Sequence, residues 1–314
     1  MKLTSHFLMA VVLVATLGMI HSASAQTEGA GQPEIFKIPH RVNERGAGAP
    51  TAGSTGTVTP AITWHGGPVI TGTVNIYYIF YGNWNQSNGS DNPAGQQILR
   101  DFANNIGGSP YFNLNTTYSI SGSPISGNVT FAGETSDAYS QGTRLRDSSI
   151  LAIVNNAINA GRLPYDTNGV YFVLTSSDVN EQSGFCTKYC GWHTAATSGG
   201  RHLRYSFVGN ANRCLNSCAA QTTGPNGNAG VDGMISVVAH ELEEATSDPD
   251  LNAWYDSKGA ENADKCAWTF GHAQYQVANG AWANMQLGTR NFLIQRNLEH
   301  NTSGDLCKVN ANQN

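Results

Sequence analysis

Gly230-Val231-Asp232-Gly233-Met234-Ile235-Ser236-Val237-Val238-Ala239-His240-Glu241-Leu242-Glu243-Glu244-Ala245-Thr246 reads as one helix, and the rest of the chain is arranged around it. Apolar Met234, Val237, Val238, Leu242 and Ala245 recur at helical spacing, and Pro249 follows where the helix should end. His240 and Glu244 stand one turn apart and project from the same face, with Glu241 beside it. In zinc hydrolases built on His-Glu-x-x-His, two ligands one turn apart grip the metal and the intervening Glu activates the attacking water. Here Glu244 replaces the second His. Zinc accepts a carboxylate oxygen, although this donor set leans toward harder cations such as manganese or calcium.

A metal site needs a third ligand, and the residues that follow offer several. Asp250 falls where the extended His-Glu-x-x-His-x-x-Gly-x-x-His pattern keeps its third ligand, but Ser247 stands at its Gly. Glu261 and Asp264 come just before Cys266, where a disulfide would hold the returning chain. They are preferred because Asp248-Pro249-Asp250 also serves as ordinary helix-stop chemistry. Glu241, Glu243, Glu244, Asp248 and Asp250 crowd a stretch with no Lys or Arg between Arg213 and Lys258. Carboxylates oppose the dipole at a helix C-terminus, so a cation there would be stabilising. The alternative is a solvated acidic helix end followed by a polar loop.

Outward from this helix, Val74-Asn75-Ile76-Tyr77-Tyr78-Ile79-Phe80-Tyr81 has the β-branched and aromatic density of a buried strand. Val170 to Leu174 and Tyr205 to Val208 read as two more strands. Helical spacing appears at Ile98, Leu99, Phe102 and Ile106, and again at Ile150 to Ile158 behind a helix cap at Asp147. Polar, Gly-punctuated residues from Thr116 to Ala132 suggest short strands. Strands alternating with helices imply an α/β fold, a single layered domain with a twisted mixed sheet and flanking helices. In that arrangement the His240 helix is expected to act as a zincin-like active-site helix lining a cleft.

Met1-Lys2, the apolar run Phe7 to Ile20 and Ala23-Ser24-Ala25 compose a secretory signal peptide over residues 1–25. Residues 26–61, rich in Gly, Ala, Pro and Thr, read as a flexible leader, and 62–314 as the globular domain. No later stretch is apolar enough to span a bilayer, so no membrane insertion is expected. Charged residues make up only 12 % of the chain and the net charge is -5, which argues against a nucleic-acid partner. Cys186, Cys190, Cys214, Cys218, Cys266 and Cys307 form an even set in an exported chain, so three disulfides are expected with the pairing left open. The two Cys-x3-Cys pairs also permit a zinc site. Asn85, Asn88, Asn115, Asn128 and Asn301 begin glycosylation sequons. His193 and His202 read as surface or satisfied core histidines. Trp64, Trp84, Trp254 and Trp282, near loops, suggest either packing or a carbohydrate-stacking platform. No Gly-x-Ser-x-Gly elbow is present, which disfavours a serine hydrolase.

Several blocks in one order resemble the phosphate-induced protein 1 (EXORDIUM-like) family. They are Gly67-Pro68-Val69-Ile70-Thr71-Gly72, Val173 to Val179, Gly184-Phe185-Cys186 through Cys190-Gly191-Trp192-His193, Val208-Gly209-Asn210 and Pro225 to Ile235, with Cys266. The resemblance implies a secreted protein, extracellular or cell-wall-associated, with a role in growth and no established catalysis. Against the plant pattern, His240-Glu241-Leu242-Glu243-Glu244 reads as a departure. The same segment, with Asp248-Pro249 and Glu261 to Cys266, is similar to secreted microbial proteins that look like zinc peptidases. The expectation is therefore one zinc or other divalent ion held by His240, Glu244, Glu261 and Asp264. Glu241 would be the general base toward a peptide or cell-wall substrate. The alternative is a non-catalytic extracellular binding or signalling protein.

Overall fold

Strand and helix alternate as the periodicities require. The computed structural model describes residues 34–37 and 49–310, so the signal peptide expected at 1–25 lies outside the described residues. Six strands form the central sheet: β1 (Glu34–Lys37), β2 (Val74–Tyr81), β3 (Val129–Asp137), β4 (Gly169–Thr175), β5 (Tyr189–Ser198) and β6 (Arg201–Val208). Their spatial order is β1-β5-β6-β4-β2-β3. Strands β3, β2, β4 and β6 run parallel, whereas β5 runs antiparallel to both β6 and β1. The mixed sheet, its flanking helices and the disulfides are as the sequence implies.

Helix α1 (Pro93–Asn105) joins β2 to β3, and α2 (Asp147–Asn159) joins β3 to β4. The first crossover steps outward to β3 and the second returns past β2. The right-handed rule for such crossovers therefore places α1 and α2 on opposite faces of the sheet. Both faces are covered, and β2 and β4 are apolar nearly throughout; Val74, Ile76, Tyr78, Ile79 and every residue from Val170 to Leu174 are fully buried. Asn92 caps α1 by accepting the Gly95 N–H at 2.8 Å, and Pro93 opens the helix without forfeiting a donor. At α2 the cap residue is Arg146, and Asp147 instead begins the helix and accepts from Ser183 Oγ at 2.7 Å.

Helix α3 (Ala229–Ser247) follows the β5–β6 hairpin, and Asn228 caps it by accepting the Val231 N–H at 3.2 Å. It is buried on every face from Gly230 to Ser247. A helix apolar on one side would need only one buried face; this one is enclosed by the sheet, by α1 and by the C-terminal chain. The His240 end of α3 lies in the core, because the segments after the helix fold back over its remaining face, while Asp232, Gly233, Ser236 and Val237 nearer its start line a cavity.

One further reading changes, and β5 is a strand that the side-chain pattern does not announce. Within the stretch expected as a leader, β1 pairs with β5, and 49–61 binds the domain. Phe270 and Gly271 donate N–H groups to Thr51 O and Ala52 O, and Val58 N–H reaches Asp305 O. These segments show no hydrophobic period because backbone hydrogen bonds attach them. The cysteines pair as Cys186–Cys214, Cys190–Cys218 and Cys266–Cys307, which removes the four-cysteine zinc alternative. Among the described residues no helix is long and apolar enough to cross a membrane.

Candidate metal centre

Gly191 lets β5 lie directly on α3. A Cβ there would stand 2.5 Å from Val237 Cγ1 and 3.2 Å from Glu241 Oε1, so a side chain would hold the two elements apart. Strand side chains alternate with period two, so His193 faces α3 as Gly191 does. It is 1 % exposed and meets the helix carboxylates: Nδ1 lies 3.3 Å from Glu241 Oε2 and 3.7 Å from Glu244 Oε2. Its Nε2 lies 3.8 Å from Glu261 Oε2 and 3.4 Å from the Asp248 carbonyl. Burial pushes the imidazole down to about 3, against the Asp248 carbonyl, which favours the charged ring. The neutral ring that results is the form able to ligate a metal.

On the other side of Glu244, its Oε1 lies 3.0 Å from His240 Nε2 and accepts the Asp264 N–H at 2.9 Å. Asp264 Oδ1 is 3.7 Å from the same His240 nitrogen. The opposite ring nitrogen, His240 Nδ1, contacts the Gln295 side-chain amide. Asp264 opens a single helical turn, Asp264–Cys266, which the Cys266–Cys307 disulfide anchors.

The four residues expected to share one ion are therefore near one another but divide into two groups. His240, Glu244 and Asp264 form one, and Glu261 falls with His193 and Glu244 in the other; in each, one donor atom per residue lies within 4.8 Å of the others. Two donors on one ion at roughly 2.1 Å, with a tetrahedral angle, stand about 3.4 Å apart. The observed 3.0 and 3.7 Å around His240 Nε2 bracket that separation. Zinc and other N/O-binding divalent ions fit these donors. His193 escaped the sequence reading because its partners lie 48 or more positions away and its strand shows no clear alternation. Gln295 carried no signal.

Neighbouring acidic residues serve other ends. Glu243, adjacent to Glu244, turns to Asn297 Nδ2 at 2.7 Å, and burial pushes its carboxyl well above the usual range. Asp248 closes the turn after α3 by accepting the Asn252 and Ala253 N–H groups at 2.6 Å. Asp250 lies outside both groups, paired with His202 at 2.8 Å and with Arg204 at 2.9 Å. Asn115, one of the sequons, is fully buried between Asn262 and the Glu243 carbonyl, so a glycan cannot attach there in the folded chain. The tryptophans build no common platform: Trp84 and Trp254 are buried, and Trp64 is exposed.

The phosphate-induced protein 1 conserved region matches residues 62–295. The chain belongs to the phosphate-induced protein 1 family. Protein EXORDIUM-like 3 of Arabidopsis thaliana is 33 % identical over 274 residues, which cover 74 % of this chain and 79 % of that protein. Protein EXORDIUM-like 5 of the same plant is 35 % identical over 223 residues, 62 % of this chain; the match spans 59 % of the relative's length. Protein PHOSPHATE-INDUCED 1 of Nicotiana tabacum is 23 % identical over 249 residues. No solved structure matches the chain. In this phosphate-induced protein 1 member, β5, α3 and the Asp264–Cys266 turn all lie inside the matched region.

Proposed function

We propose that this family member is an extracellular metal-binding protein whose divalent ion, zinc by donor type, binds at His240, Glu244 and Asp264. The observation that carries the reading is the convergence of these three side chains at 3.0 and 3.7 Å inside the core. Such a site ties the end of α3 to the Cys266 turn. Burying carboxylates costs several kcal/mol per ion, and coordination offsets that cost. The metal then acts first as a structural clamp. The disulfides and the family fit the extracellular compartment.

The second reading, a zinc-dependent peptide hydrolase, has one observation in its favour: α3 carries its motif beneath an antiparallel strand beside a parallel sheet, a zincin-like layout. Three others weigh against it. His240, Glu241 and Glu244 are fully buried, and β1 covers the outer edge of β5, where an extended peptide would add a strand. Glu241 also faces His193, which occupies the carboxylate required as general base.

Elemental mass spectrometry of the purified mature chain tests the clamp. Zinc should co-purify and be lost in His240→Ala/Glu244→Ala, whereas Asp250→Asn should retain it. A metal-free wild type whose melting temperature ignores added zinc, manganese and calcium would reject the reading. Peptide turnover abolished by Glu241→Gln with zinc retained would establish the hydrolase instead.

A further inference from the structure

We propose that the cluster holds two divalent cations bridged by Glu244, the second bound by His193, Glu244 and Glu261; this rests on the metal reading above. Glu244 presents its two oxygens to different partners. Oε1 faces His240 Nε2 at 3.0 Å, and Oε2 faces the His193 ring at 3.7 Å. Each group has the same composition, one imidazole and two carboxylates, with Glu244 common to both. A bridging carboxylate of this kind suits two ions about 3.5–4 Å apart.

The histidines present their nitrogens differently. His240 turns Nε2 to Glu244 and Asp264 and Nδ1 to the Gln295 amide, so the amide fixes the ring whose other nitrogen faces the carboxylates. His193 turns Nδ1 to Glu241 Oε2 at 3.3 Å and to Glu244 Oε2 at 3.7 Å, and Nε2 to Glu261 Oε2 at 3.8 Å. This strand is rigid at that point, because the backbone of His193 pairs with Glu34 on one side and Ser206 on the other.

Glu241, Glu244, Glu261 and Asp264 bring four carboxyl groups to the two histidines, and the first three are at most 2 % exposed. With every cysteine oxidised, the donors are N and O alone, which selects zinc or manganese over thiophilic ions.

The test is stoichiometry. The mature chain, stripped with chelator, is titrated with zinc by calorimetry and, separately, with cobalt(II) by absorption. Two equivalents are expected for the wild type, one for His193→Ala and one for His240→Ala, with Glu244→Gln weakening both steps at least tenfold. One equivalent in the wild type, lost in His240→Ala and kept in His193→Ala, overturns the bridged pair and leaves the single site standing. No binding in any form overturns the metal reading itself. The cobalt titration needs no substitution, so a variant that fails to fold does not prevent a decision.

Discussion

Replacing Gly191 by alanine probes the contact on which the centre depends. The added methyl would sit 2.5 Å from Val237 Cγ1 and 2.9 Å from the Phe207 carbonyl oxygen. Carbon atoms settle at roughly 3.5–4.0 Å, so β5 must retreat from α3 by about 1 Å. The Phe207 oxygen belongs to the backbone of β6 and cannot swing aside. Overpacking of this kind costs about 1–3 kcal/mol. For a domain of this size each kcal/mol lowers the melting temperature by roughly 2–4 °C, giving a fall of about 2–12 °C. His193, two residues along, retreats with the strand, so zinc should rescue the variant less than it rescues the wild type. Thermal unfolding by circular dichroism, with chelator and then with excess zinc, reads both effects. Gly133→Ala is the control, since its Cβ would find ordinary contacts at 3.6 Å. A Gly191→Ala protein melting within about 1 °C of wild type in both conditions would refute the close packing of β5 on α3.

Two other predictions concern the ends of α3. Opening the Cys266–Cys307 bridge with Cys266→Ser/Cys307→Ser frees a 41-residue separation and should cost about 3–4 kcal/mol in denaturant unfolding. Zinc affinity should fall with it, because Asp264 is held by that turn; undiminished affinity would show that the disulfide does not position the ligand. At the other end, burial pushes Asp232 up to about 6 although Asn226 donates to it at 2.6 and 3.0 Å. Its folded value lies above its unfolded one, so folding takes up a proton between pH 4 and 6 and stability falls as pH rises through that window. The slope approaches roughly 1.4 kcal/mol per pH unit and flattens above it. In metal-free protein, the stability difference between wild type and Asp232→Asn should carry this slope; a difference independent of pH would refute it.

Much of the architecture was legible because it is written in local periodicity. The run from Val74 to Tyr81 could be stable only as a strand covered on both faces, and the spacing from Met234 to Ala245 only as a helix with a buried side. The motif His240 to Glu244 was equally readable, since one helical turn aligns its members without help from the rest of the chain. Where periodicity was weak the reading failed. Residues 189–198 carry Gly191, His193 and two threonines in place of a clear alternation, and the attachment of residues 49–61 resides in backbone hydrogen bonds that side-chain pattern does not encode.

By itself, then, the sequence determined an α/β layering, an even set of cysteines and a helix bearing metal-ligand residue types. Tertiary structure alone decided which distant groups that helix meets. The strand contact at Gly191 delivers His193 to Glu241 and Glu244, and the Cys266–Cys307 bridge delivers Asp264 to His240. It also decided that Glu261 and Asp264, three residues apart, lie beside different histidines. The physical reason is that a ligand set depends on separations of a few ångströms between elements far apart in the chain. Local residue order constrains such separations only within a single helix or strand.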